Sequence, residues 1–159
     1  GFTSKWKPLC ETGTCEVYMT LIGDLIIGGD FQITIEDKVI HTQGSFRLND
    51  EFYLMEAKWH QKRTSAADLH VFEGKLSTKA TWTRGVFISW MGFTPEGLTA
   101  FGKGKRVICV SGYDLYHSLN HRIPLPDLLD AKTRHAAETG EPYAEFDRLY
   151  ALKDSNRLI

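Results

Sequence analysis

The stretch Phe52-Tyr-Leu-Met-Glu-Ala-Lys-Trp59 is apolar except for Glu56 and Lys58. Read as a β-strand, it points residues two apart to the same face. A carboxylate and an ammonium therefore project side by side from a strand that is otherwise built to be buried. Burying such a pair adds little stability. The intrusion marks a candidate chemical site, with a structural ion pair as the alternative.

The neighbouring patterns supply the elements that must hold this pair. Phe31-Gln-Ile-Thr-Ile-Glu36 alternates apolar and polar residues and predicts a strand. A short turn at Asp37-Lys38 leads to a second strand from Val39 to Leu48, interrupted by Gly44. Asn49-Asp50-Glu51 is a second turn, and residues 52–59 complete an antiparallel meander. Ahead of it, Val17, Met19, Leu21, Ile22, Leu25 and Ile26 recur at helical spacing. They predict a helix from Thr12 to Ile27, capped by Thr12 or Thr14 and ended by Gly28-Gly29. Glu16 falls in its first turn, where a carboxylate suits the helix dipole.

Beyond the meander the pattern changes. Thr64-Ser-Ala-Ala-Asp68 resembles a capping box and opens a helix through Leu69, Val71, Phe72, Lys75 and Leu76. Gly85-Val-Phe-Ile-Ser89 is a short, continuously apolar strand, as expected when both sheet faces are covered. Thr94 and Pro95 cap and start a helix that ends at Gly102. Arg106 to Val110 is a further buried strand. Tyr113–Leu119 and Pro126–Thr139 are helical, the latter closed by Gly140. Residues 141–159 read as a packed or frayed tail. The expected fold is α/β, a mixed central sheet in which an antiparallel meander is followed by strand–helix–strand crossovers, with helices on both faces.

At 159 residues the chain is expected to be a single domain, with its core over roughly residues 12–140. Its hydrophobic content of 42% and charged content of 25% are those of a soluble globular protein. A net charge of −1 supplies no global basic field, so nucleic-acid binding would need a local patch. No run of 18 apolar residues is present, which argues against a membrane span, and the first eight residues carry no apolar signal core. The chain starts at Gly1 rather than Met, and flanking domains that carry target recognition are expected outside it. Cys10, Cys15 and Cys109 are odd in number and lack CxxC spacing. They point to a reducing compartment, hence the cytoplasm, and away from a disulfide or zinc framework. Cys109 is expected to be a packed core thiol.

Among other residues, Lys62, Arg63, Lys75, Lys79 and Arg84 follow the central strand, with Trp82 among them. They read either as one side of a DNA groove with a stacking Trp or as a solvated basic face. Gln61 could hydrogen-bond across the site. His60, His70, His117, His121 and His135 are read as surface or satisfied core residues. Ser89 and Ser111 lack the context of an acyl-transfer nucleophile. Gly102-Lys-Gly-Lys105 lacks the spacing of a phosphate loop and reads as a tight turn.

Gln43-Gly-Ser-Phe46, Tyr53-Leu-Met-Glu-Ala-Lys-Trp59, Thr83-Arg-Gly-Val-Phe-Ile-Ser89 and Gly92-Phe-Thr94 together resemble a restriction-endonuclease-like domain. The closest likeness is to the Mrr-like type IV group of the PD-(D/E)xK nucleases. The resemblance implies hydrolysis of DNA phosphodiesters with Mg²⁺ or Mn²⁺, in defence against foreign DNA. It implies Glu56 as metal ligand with the Ala57 carbonyl, Lys58 as the group that orients the attacking water, and Glu16 as an accessory acid on the first helix. A homodimer that cuts two strands is expected from the same likeness. Where the family pattern has an Asp as principal ligand, this chain has Gln43. Three explanations stay open: Glu16 and Glu56 carry the metal, the acid has moved to Asp37 or Asp50, or catalysis is lost and the fold serves as a DNA-binding or assembly module.

Overall fold

The computed structural model describes Ile22, residues 31–36 and residues 39–151. Five strands form one sheet: β1 (Phe31–Glu36), β2 (Val39–Leu48), β3 (Glu51–Trp59), β4 (Arg84–Ser89) and β5 (Val107–Ser111). They lie side by side in chain order. β1, β2 and β3 pair antiparallel, whereas β3–β4 and β4–β5 pair parallel. The mixed α/β sheet expected from the sequence is therefore present. The helices are α1 (Ala66–Ser77), α2 (Pro95–Phe101), α3 (Gly112–Asn120), α4 (Leu125–Thr139) and α5 (Phe146–Tyr150).

Strand alternation divides the core in two. One face of the sheet carries Met55, Ala57, Val86, Ile88, Ile108 and Val110, packed with Leu115 of α3, Leu128 and Leu129 of α4, and Phe146 of α5. The other carries Phe87, Val107 and Cys109 beneath Leu69, Phe72 and Leu76 of α1 and Phe101 of α2. Helices thus cover both faces, and the apolar composition of β4 and β5 follows from burial on both sides. Ile22, the only described residue of the helix expected over 12–27, is helical and fully buried in the first of these clusters.

Several local expectations are corrected. β2 runs unbroken through Gly44, which pairs with Phe31 on one side and Met55 on the other. The β2–β3 turn is shorter than read: Asn49 and Asp50 take positive φ of 51° and 64°, and Glu51 already belongs to β3. Two consecutive positive φ values are the mark of a two-residue hairpin turn that matches strand twist. No capping box opens α1, since Ser65 makes no side-chain cap bond. The Thr64 hydroxyl instead donates to Ser89 Oγ, 2.8 Å away. Thr94 does cap α2, accepting from the Gly97 amide. The region after 140 contains α5, whose Phe146 is fully buried.

Candidate functional site

The β2–β3 register brings the polar residues together. Gln43 stands opposite Glu56, and His41 opposite Lys58. Directly opposed residues of an antiparallel pair share a face, so the four side chains form a patch two strands wide. This is the α1 face of the sheet, because Phe87, the β4 neighbour of Glu56, packs under that helix.

α1 completes the patch. Leu69, Phe72 and Leu76 recur at helical spacing and are buried against the sheet. Asp68 and Lys75 flank that stripe two turns apart and therefore fall on one side of the helix. Asp68 accepts from Lys58 Nζ at 3.2 Å, and Lys75 Nζ donates to Glu56 Oε1 at 2.7 Å. The other Glu56 oxygen lies 3.2 Å from His41 Nε2, which is in turn 3.4 Å from the Gln43 amide. The strand pair Glu56 and Lys58 is thus not an ion pair with itself. Each member is matched to an opposite charge from the helix.

Glu56 is 4% exposed. Burial works to raise its pKa, but the hydrogen bonds and charges of His41 and Lys75 outweigh burial and hold the carboxyl below its ordinary value. The site therefore keeps an ionised carboxylate inside the protein. His60, just past β3, also has a lowered pKa, here because burial and then the Lys58 charge disfavour its protonated form. A hollow of about 290 Å³ lined by Thr34, Glu36, Val39, His41 and Lys58 opens beside the patch. Solvent-borne groups thus have access to His41 and Lys58, while Glu56 lies behind them.

Among the described residues no group of three or more His, Cys, Asp or Glu side chains could hold a metal ion. Mg²⁺ needs oxygen ligands in octahedral array, supplied in part by carboxylates. Here the two carboxylates of the patch, Glu56 and Asp68, are each paired with a lysine, and Gln43 offers only a neutral oxygen. These residues do not by themselves fit Mg²⁺. The Ala57 side chain faces the opposite side of the sheet, and the residue sits between Thr42 and Ile88 in the ladder, which leaves the expected role of its carbonyl as it was. Asp50 is held in the hairpin turn by Arg47 at 2.7 Å. It is six residues, or about 20 Å of strand, from Glu56, so it does not replace the missing acid. Glu16 and Asp37 lie outside the described residues.

The basic residues do not gather into one row. Gln61, Lys62 and Arg63 are exposed beyond the end of β3, at the start of α1. Lys79 and Trp82 are exposed in the loop after α1, a helix of 12 residues. That length separates the two groups by about 18 Å. Lys75 is committed to Glu56. Arg84 registers with Tyr53 and so belongs to the opposite face, where it meets Glu51 at 3.3 Å. Trp82 is 70% exposed. Its loop is fixed by Arg106, whose guanidinium donates to the carbonyls of Ala80, Thr81 and Thr83.

Three members of the patch, His41, Asp68 and Lys75, were not assigned to it from sequence. His41 was within reach, because a two-residue turn at Asn49-Asp50 makes residues equidistant from it face each other. The remaining histidines have other surroundings. His117 and His121, one helical turn apart, lie against Phe146, and His135 is 3.4 Å from Glu141. No protein-family model, curated protein or solved structure matches the chain.

Proposed function

We propose that this chain is a restriction-endonuclease-like domain that acts on DNA phosphodiesters at the polar face of β2 and β3. The observation that carries this reading is the register: Gln43 stands across from Glu56, with Lys58 two residues on and on the same face. The resemblance requires that juxtaposition, and a chance Glu-x-Lys does not. The meander followed by two parallel crossovers supports the same fold. Lys58, braced by Asp68, lines the open hollow and can meet a phosphate oxygen with positive charge. Mg²⁺ or Mn²⁺, when bound in such a nuclease, supplies charge neutralisation and a more acidic water. The described residues do not build its site. DNA as partner, a homodimer for two-strand cutting, flanking recognition domains, a cytoplasmic location and a role in defence belong to this proposal. No described helix is long and apolar enough to cross a membrane.

A second reading is a DNA-binding or assembly module that keeps the fold without cutting. It is favoured by the neutral Gln43 and by a Glu56 whose two oxygens are already engaged. One experiment separates the two. Supercoiled plasmid is incubated with Mg²⁺ or Mn²⁺ and the chain as it stands, Glu56→Ala, Lys58→Ala or Gln43→Asp. Cleavage that disappears in Glu56→Ala and Lys58→Ala supports the nuclease. Cleavage only in Gln43→Asp supports the silenced module. Cleavage unchanged by both alanine variants overturns the assignment of the site.

A further inference from the structure

We propose that Lys75 is the built-in counter-ion of this centre: its ammonium stands where a divalent cation would otherwise neutralise Glu56, and a cation enters only by displacing it. The inference rests on reading Glu56 as the centre's carboxylate, and it holds whether or not the chain cuts DNA.

Three features carry it. The first is contact. Lys75 Nζ lies 2.7 Å from Oε1, the shortest of the ion-pair distances at this face, and His41 takes the other oxygen at 3.2 Å. A metal approaching Glu56 meets no unshared carboxylate oxygen.

The second feature is the choice of lysine. Lys58 neighbours Glu56 on its own strand, yet its ammonium is directed to Asp68 at 3.2 Å. α1 therefore delivers a dedicated cation to Glu56 from the far end of the helix. Between β3 and α1 the two carboxylates and two ammoniums of the described residues are matched one to one. Gln43 contributes no charge that would call for an added ion.

The third feature is mobility of one partner against the other. The Glu56 side chain is 6% exposed, whereas that of Lys75 is 43% exposed. A buried carboxylate on the central strand cannot leave. A lysine on an open helix flank has water into which its head group can swing. The contact is thus exchangeable on the lysine side alone, and a cation and Lys75 compete for the same oxygen.

The test is Mn²⁺ binding, read from the loss of the free-ion electron paramagnetic resonance signal, with no nuclease assay involved. The full chain is compared with Lys75→Met, Lys75→Arg and the double variant Lys75→Met with Glu56→Gln. Lys75→Met keeps the apolar stem and removes the charge, and is expected to bind Mn²⁺ roughly tenfold more tightly than the unaltered chain. Lys75→Arg is expected to match the unaltered chain, and the double variant to lose the gain. A gain below about threefold overturns the proposal, as does a gain that survives Glu56→Gln. Lys75→Gln provides a second neutral variant should the methionine perturb folding, and far-UV circular dichroism checks each. Plasmid cleavage reports separately on the proposed function, so either reading can fail alone.

Discussion

Replacing Lys132 with Met tests whether one buried ammonium ties together the helical layer opposite the candidate site. Lys132 of α4 and Asp114 of α3 have side chains 1% and 0% exposed and meet at 2.7 Å. The same Nζ donates to the Cys109 carbonyl of β5 and to the Ala144 carbonyl ahead of α5, each at 2.9 Å. It also lies 4.5 Å from the Tyr143 ring centroid. Burial pulls the Lys132 pKa down, and the Asp114 charge and hydrogen bond oppose that pull. Methionine fills the volume of the stem but leaves the buried Asp114 carboxyl with only the Ser111 and Phe146 amides, at 2.9 and 2.8 Å. Removing one partner of a buried pair costs about 3–5 kcal/mol. For a chain of this size that corresponds to a fall in Tm of roughly 6–20 °C. The assay is urea unfolding followed by circular dichroism, with ΔG compared at unchanged slope. Adding Asp114→Asn removes the orphaned charge and should recover at least about 1 kcal/mol of the loss. A loss below about 1 kcal/mol for Lys132→Met refutes the reasoning, because the contacts would then be geometrically short but energetically neutral.

Two further outcomes follow from the titrating groups. Glu56 has its folded pKa below the ordinary 4.5, since His41 and Lys75 outweigh the raising effect of burial. The unfolded chain takes up this proton first on acidification, so the stabilisation is complete above that ordinary value and is lost as pH falls through the folded one. Urea midpoints of the unaltered chain and Glu56→Gln, compared between roughly pH 3 and 7, should converge on the acid side; a gap that widens there contradicts the assignment. Cys109 is buried, and its thiol is pushed up to about 12, chiefly by desolvation, with Lys132 acting to lower it and Asp114 to raise it. At pH 8 only about one thiol in ten thousand is ionised, so iodoacetamide should label Cys109 only after unfolding. Peptide mapping distinguishes it from Cys10 and Cys15, and rapid labelling of the native chain at Cys109 would count against the burial argument.

The strands were legible because their signals are local. Phe31–Glu36 and Val39–Leu48 appear with the bounds that alternation and turn residues suggest, and Glu56 and Lys58 share a face because strand period alone demands it. Gly102 and Gly140 close α2 and α4 in positive φ, at 86° and 78°, as their positions past the last apolar residue indicate. What could not be read is the rotation of α1 against the sheet. That angle is set by Leu69, Phe72 and Leu76 seating on Phe87, a tertiary event with no sequence-local signature. Asp68 therefore read as a capping acid and Lys75 as a DNA contact, when both turn inward to the strand pair. Gly44 read as a break because glycine weakens a strand, but pairing on both sides overrides that local preference.

Charge balance gives Gln43 a physical meaning beyond a missing ligand. Glu56 and Asp68 are matched by Lys75 and Lys58, and His41 adds a hydrogen bond to the buried carboxylate. An aspartate at position 43 would put a second carboxylate directly across the ladder from Glu56, and like charges so placed repel. Lys75 has one charge and already serves Glu56, so such a site would need a further cation to be stable. With glutamine the set Glu56, Asp68, Lys58 and Lys75 is matched as it stands. The residue at 43 and the lysine at 75 are therefore coupled through Glu56: Gln43 adds no charge beside it, and Lys75 supplies the one that balances it. Changing either alone leaves the face with one negative charge in excess. This is why Gln43→Asp and Lys75→Met, distant in sequence and different in chemistry, should both increase the demand of this centre for a divalent cation.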